Sequence, residues 1–275
     1  MTNIINPVIV LGGLGLLFGV LLSIASKIFV VAVNPKVEEV LGILPGANCG
    51  ACGYPGCAGC AAAIVEGQAP TTACTIGGAK VAAKVADAMG VNAGAFNKKV
   101  AVVKCQGDCD KAKDKYIYQG IADCRIQSTL AGGQKECTYG CLGCGTCFDV
   151  CKFNAIRMID GIAVVNKENC TACNACVVAC PKNIIELIPY ESTAVVKCMS
   201  QDKGKEVRGY CSVGCIGCQI CVKNCPTDAF TFENNLARIN YEKCIDCLIC
   251  VEKCPTKAID NMSIVSEEFA KEFAN

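Results

Sequence analysis

The plainest hydrophobic pattern lies at the start of the chain. Seven uncharged residues precede an apolar run, VIVLGGLGLLFGVLLSIASKIFVVAV, from Val8 to Val33, free of charge as far as Ser26. As a helix the run extends roughly 39 Å at 1.5 Å per residue, more than a ~30 Å hydrocarbon core requires. A cleavable signal needs a basic leader and a shorter apolar stretch, so residues 1–33 are predicted to be an uncleaved membrane-spanning helix. Lys27 and Lys36 end or follow the run and nothing basic precedes it. That asymmetry places the C-terminal bulk in the cytoplasm, with the chain a single-pass protein of the cytoplasmic membrane. Pro35 is expected to end this helix. Further on, AKVAAKVADAMG spaces alanine and valine for one buried helical face, with Gly90 as its stop. Two later stretches alternate as strand, turn, strand: Ala155–Ile159, Asp160-Gly161, Ile162–Val165, then Ala229–Phe232, Glu233-Asn234-Asn235, Leu236–Ile239. The tail SEEFAKEFAN is polar and predicts a solvated terminal helix.

Composition changes this picture through cysteine. The chain has 275 residues and 27 cysteines, with no histidine and no tryptophan. Absent histidine removes Rieske ligation, zinc catalysis of the usual kind and any Ser-His or Cys-His pair. A formal net charge of +1 gives no electrostatic case for nucleic acid. The cysteines are clustered two residues apart, which suits metal ligation better than disulfide geometry and points to a reducing compartment.

Sixteen of them form four copies of C-x2-C-x2-C-x3-C: Cys141/Cys144/Cys147/Cys151, Cys170/Cys173/Cys176/Cys180, Cys215/Cys218/Cys221/Cys225 and Cys244/Cys247/Cys250/Cys254. The second eight repeat the first eight at an offset of 74 residues, an internal duplication. This spacing is the one bacterial two-cluster ferredoxins use for [4Fe-4S] clusters. Three cysteines of a run grip one cluster and the fourth reaches the neighbouring one. The predicted sets are therefore Cys141/Cys144/Cys147/Cys180, Cys151/Cys170/Cys173/Cys176, Cys215/Cys218/Cys221/Cys254 and Cys225/Cys244/Cys247/Cys250. Pro181, Pro226 and Pro255 follow the last cysteine of their runs as that pattern expects, whereas Lys152 follows Cys151. Short helices should follow each cluster-binding loop.

A fifth set precedes these. In NCGACGYPGC, Cys49, Cys52 and Cys57 are followed by Cys74, four thiolates for another [4Fe-4S] cluster. Gly50, Gly53 and Gly56 allow amide groups to approach the cluster sulfurs. Structural zinc usually pairs two C-x2-C knuckles, and Cys57 with Cys74 makes no second one. Cys60 is surplus and reads as a buried thiol.

The segment AVVKC occurs twice, ending at Cys105 and at Cys198, and each copy leads to a cysteine four before its ferredoxin run, Cys137 and Cys211. The first copy carries a longer insert with Cys109 and Cys124. Cys105, Cys109, Cys124 and Cys137 make a fourfold set able to hold a sixth cluster. The competing reading makes Cys105/Cys137 and Cys198/Cys211 paired or buried thiols of a repeated fold.

The combination of one N-terminal span, ILPGANCGACGYPGC and following ferredoxin runs resembles the B-subunit family of the Rnf complex, the ion-pumping ferredoxin:NAD oxidoreductase, in an extended polyferredoxin form. The resemblance implies that reduced ferredoxin docks on the cytoplasmic part and that electrons pass between clusters towards membrane and flavin-bearing subunits while Na⁺ or H⁺ moves outward. It implies an electron-transfer subunit with no substrate-converting site of its own, binding neither NAD nor flavin. No G-x-G-x-x-G after a strand and no P-loop is present. The alternatives are a membrane-anchored polyferredoxin of another redox complex, such as a hydrogenase, and a structural zinc protein.

The expected fold class is α+β: a transmembrane helix (1–33), a small four-cysteine Fe-S domain with a helical segment (34–98), a cysteine-containing connector (99–136), two 2[4Fe-4S] ferredoxin domains (137–190 and 191–262) and a polar tail (263–275).

Overall fold

The computed structural model describes residues 2–28 and 34–262. The expected polar terminal helix lies outside the described residues. α1 (Thr2–Ile28) is a helix of 27 residues that begins before the apolar run. Its stretch Val8–Lys27 is long and apolar enough to cross a membrane and buries nothing against the rest of the described chain. Leu11, Leu16 and Leu22 are each about 70% exposed. Leaving such side chains in water forgoes about 1.5–3 kcal/mol apiece, so this helix needs apolar surroundings that the chain itself does not supply.

Pro35 opens a helix where the sequence suggested an ending. α2 (Pro35–Ile43) has proline at its first position, and Asn34 caps it by accepting from the Lys36 amide at 3.0 Å. Proline's fixed φ and missing N–H suit that position. α3 (Gly56–Val65) and α4 (Gly78–Met89) pack beside α2, and α4 stops at Gly90 in the left-handed region as expected. Val40, Leu44, Cys60, Ala61, Ile64 and Val85 form their common core.

The remainder is two copies of one plan. The first runs β1 (Lys99–Val103), α5 (Cys124–Thr129), α6 (Thr146–Asp149), β2 (Ile156–Ile159), β3 (Ile162–Val165), α7 (Ala175–Ala179) and β4 (Ile185–Pro189). The second runs β5 (Ala194–Val196), α8 (Gly204–Tyr210), α9 (Ile220–Lys223), β6 (Phe230–Glu233), β7 (Leu236–Ile239), α10 (Ile249–Lys253) and β8 (Ile259–Asn261). Both expected hairpins form, with Ile159 opposite Ile162 and Glu233 opposite Leu236. The second turn is one residue tighter than the sequence suggested, because Asn234 and Asn235 both take positive φ and suffice for it.

The two AVVKC segments are strands. β1 pairs antiparallel with β4, and β5 with β8, placing Val103 opposite Ile185 and Val196 opposite Ile259. Each strand thus closes its own ferredoxin unit by pairing with that unit's last strand. The units also share packing, since Val195 and Met262 of the second lie in the core with Val100, Ile156, Ile184 and Ile188 of the first. Across the same boundary, Lys113 N donates to Tyr210 O at 2.8 Å and Ser212 N to Lys111 O at 3.0 Å.

Candidate metal centres

The N-terminal set is built on a glycine-broken loop feeding α3. Asn48 sits at φ 46° and its Oδ1 accepts from the Cys57 amide at 2.8 Å, pinning the loop start to the helix start. Gly50, Gly53 and Gly56 all have positive φ. Burial pushes the Cys74 thiol up, the Gly77 amide opposes that, and Cys52, Cys57 and Cys49 raise it further, so the other three expected ligands lie near it. Cys60 is buried as expected, one helical turn from Cys57 and against Cys52. Burial and then Cys52 push it up to about 12.

In each ferredoxin unit, a loop crosses one end of a hairpin and enters a helix of four or five residues: α6, α7, α9 and α10. The residue before each helix is left-handed: Gly145, Asn174, Gln219 and Leu248. Helices this short do not persist alone and need tertiary support. The crosswise pattern is visible in the side chains. Cys151 shares an atom-free volume of about 340 Å³ with Cys170, Cys173 and Cys176. Cys254 shares about 390 Å³ with Cys215, Cys218 and Cys221. Cys180 shares about 340 Å³ with Cys141 and Cys147. Cys250 is pushed up to about 11 by burial and then by Cys244 and Cys247, while Cys225 and Cys247 both raise Cys244, which gathers the fourth set.

Burial and neighbouring thiolates push Cys147, Cys176 and Cys221 each up to about 12. Four thiols cannot ionise together in such a chamber without a compensating cation. Backbone amides aim at the sulfurs: Ala101 N lies 3.4 Å from Cys170 Sγ, and Ala229 N lies 3.3 Å from Cys225 Sγ. At Cys225 burial raises the thiol, but the Thr227 and Ala229 amides and the Thr227 hydroxyl outweigh it and hold it below the usual range. Among the described residues no three cysteine or carboxylate side chains converge tightly enough for a single metal ion. The thiols instead ring small, mostly apolar volumes. That arrangement fits a multi-iron cluster with four thiolate ligands better than mononuclear zinc.

The structure divides the set expected for a sixth cluster. Cys105 and Cys137 come together, but Cys109 is exposed and its amide donates to Asp160 O at 3.0 Å, at the β2–β3 turn. Cys124 turns into the chamber of Cys141, Cys147 and Cys180, beside Cys144. The physical reason is Asp123, which caps α5, and the bond from Cys124 N to Thr146 Oγ1 at 2.7 Å, which ties α5 to α6. Gln127, buried one turn along α5, places its Oε1 2.8 Å from Cys144 Sγ. Spacing gives no sign of Gln127, because its approach depends on where the insert packs.

Three family models match the chain: an Fe-S cluster domain over residues 44–76 and 4Fe-4S dicluster domains over 140–184 and 214–259. The B subunit of the Na(+)-translocating ferredoxin:NAD(+) oxidoreductase complex of Acetobacterium woodii is 51% identical over 88% of this chain and 73% of its own length. The B subunit of the proton-translocating ferredoxin:NAD(+) oxidoreductase complex of Clostridium ljungdahlii is 43% identical over 87% of this chain and 85% of its own. The B subunit of the ion-translocating oxidoreductase complex of Methanosarcina acetivorans is 45% identical, and that match spans 94% of this chain and 98% of the relative. On that extent of identity, the chain belongs to the Rnf B-subunit family, the B subunits of ion-translocating oxidoreductase complexes.

Proposed function

We propose that this chain accepts electrons from reduced ferredoxin on the cytoplasmic side of the membrane and relays them to membrane and flavin-bearing subunits. An electron-transfer role within an ion-translocating oxidoreductase complex follows from the family and its two dicluster domains. The observation that carries the finer reading is the crosswise gathering of thiols into separate chambers along one chain. Five [4Fe-4S] clusters, when bound, supply one-electron oxidation and reduction. Their ligands are Cys49/Cys52/Cys57/Cys74, Cys141/Cys144/Cys147/Cys180, Cys151/Cys170/Cys173/Cys176, Cys215/Cys218/Cys221/Cys254 and Cys225/Cys244/Cys247/Cys250. The protein's own part is to hold these thiolates, direct amide N–H groups at sulfur and limit water, the levers that set cluster potential. α1 anchors the relay as a single span, and the first ferredoxin unit takes in β1 from the stretch expected as a connector.

The test is anaerobic. Reduced ferredoxin should bleach the visible absorbance of the isolated chain at once, and NADH should not do so without the partner subunits. Direct reduction by NADH, or no response to ferredoxin, would overturn the proposal. Recovery of the native complex with hydrogenase subunits in place of flavin-bearing ones would favour the alternative assembly. Cys57→Ala should lose about four iron atoms and leave the ferredoxin units loaded.

A further inference from the structure

We infer that Cys105, Cys137, Cys198 and Cys211 together hold a further [4Fe-4S] cluster, two ligands from each copy of the duplicated module, set between the two ferredoxin units. The four cysteines lie outside all three matched domain ranges. They line one atom-free volume of about 410 Å³, similar to the roughly 340–390 Å³ of the three ferredoxin chambers. That likeness means the inference rests on the same reading of those chambers.

The site repeats its details across the two copies. Each copy contributes the cysteine that ends AVVKC and the cysteine four before its first run. Cys105 Sγ accepts from Cys141 N at 3.4 Å, and Cys198 Sγ accepts from Cys215 N at 3.2 Å. A Cβ built on Gly107 would lie 3.4 Å from Cys211 Sγ and 3.9 Å from Cys105 Sγ, so those two sulfurs flank one glycine although they come from different copies. Cys105, Cys137 and Cys211 line the same space. Cys198 lines that space with them.

The charge around the cavity points to an anion. Lys104, Lys135 and Lys197 all line it. Lys104 pairs with Glu186 at 2.8 Å and Lys197 lies 3.8 Å from Asp260. Lys135 is 3% exposed, and its Nζ donates to Gly107 O with no carboxylate partner among the described residues. A buried ammonium without a counter-ion is costly. An iron–sulfur cluster with four thiolates carries net negative charge and would balance it.

The position gives the site its use. Cys141 and Cys215 belong to the nearest cluster sets of the first and second ferredoxin units, and each donates its backbone amide to a sulfur of this site. At the other end, Ala51 and Thr72 of the N-terminal domain line one cleft with Cys170 and Ala172. The order along the protein is then the Cys49 set, the Cys151/Cys170 set, the Cys141/Cys180 set, this site, the Cys215/Cys254 set and the Cys225/Cys244 set. An electron taken from the cluster on one side is passed to the cluster on the other, one in and one out.

The test measures iron, sulfide and zinc in the full chain after anaerobic reconstitution with iron and sulfide. The unaltered chain should hold about 24 iron atoms, six four-iron sites, and no zinc. Cys105→Ala and Cys198→Ala should each lose about four, and the double variant the same four, because both residues serve one site. Cys109→Ala/Cys124→Ala should stay at about 24. A count near 20 in the unaltered chain would overturn the inference without any variant having to fold. So would a full count in the Cys105→Ala/Cys198→Ala double variant, or zinc in place of iron. A count near 20 with ferredoxin-driven bleaching intact would sink this site alone and leave the proposed function standing.

Discussion

Gly143→Ala tests how the ferredoxin loops are held. Gly143 lies between Cys141 and Cys144 at φ 80°, and an added Cβ would meet Gly161 O, in the β2–β3 turn, at 2.5 Å. Its counterpart in the second unit, Gly217, has φ 67°, and its Cβ would meet Asn235 O at 3.1 Å. Both substitutions force an L-residue into the left-handed region, a penalty of about 1–2 kcal/mol. Gly143→Ala must also push a backbone carbonyl back by at least about half an ångström against a packed hairpin, where Gly217→Ala asks for only a few tenths. Overpacking of that kind adds about 1–3 kcal/mol. If loop opening is fast relative to capture, this difference makes iron in the Cys141 site roughly 5- to 150-fold more available to a chelator than iron in the Cys215 site of Gly217→Ala. The assay follows anaerobic iron release to an excess of chelator, the fast phase amounting to about four iron atoms per chain. Equal release from the two variants, or faster release from Gly217→Ala, would refute the view that the hairpin turn buttresses the loop.

Three other outcomes follow from the same geometry. Gln127→Leu should lower the potential of the Cys144 cluster. A ligating thiolate only accepts, so the Gln127 and Gln134 amides, now 2.9 Å apart, turn over together and Gln127 Nε2 donates to sulfur. Losing that bond destabilises the more negative reduced form by about 40 mV for each kcal/mol, and a redox titration showing no fall or a rise would contradict it. A chain begun at Asn34 should partition into the aqueous phase without detergent and keep its iron count, since Val8–Lys27 buries nothing on the described chain; iron loss would show that α1 supports the clusters. Stripping iron should abolish the circular dichroism of α6, α7, α9 and α10 while α1, α3 and α4 persist, because the former are too short to stand alone. Retention of the whole helical signal would argue against that dependence.

Much of this architecture is legible in the sequence because it is written locally. A C-x2-C-x2-C-x3-C run places its sulfurs by backbone spacing alone, and Asp160-Gly161 between apolar runs can hardly be anything but a tight turn. Pro35 misleads because a proline that cannot continue one helix is also well suited to begin another, and only Asn34 before it distinguishes the two. The partition of Cys105, Cys109, Cys124 and Cys137 is hidden for a different reason. It depends on β1 pairing with β4 and β5 with β8, contacts more than sixty residues apart that no spacing encodes. A usable signal is nevertheless there: Cys105 and Cys137 have counterparts in both copies, whereas Cys109 and Cys124 occur in one.

All eight strands among the described residues sit in two-stranded ribbons, so each has one edge without a strand partner, which at Ala101 and Ala194 is met by the Cys170 sulfur and the Asp246 carboxylate instead. Ribbons of three to five residues are marginal in isolation, and open edges are templates for pairing with other chains. Loops wrapped on bound clusters would hold those edges apart, where a larger protein would use a thick core. A newly made chain that stays unloaded would be an aggregation hazard, with apolar stretches such as AVVKC free to find the wrong partner. For this protein the supply of iron and sulfide during synthesis would then bear on folding as much as on electron transfer, so that proteostasis and metal supply become the same problem.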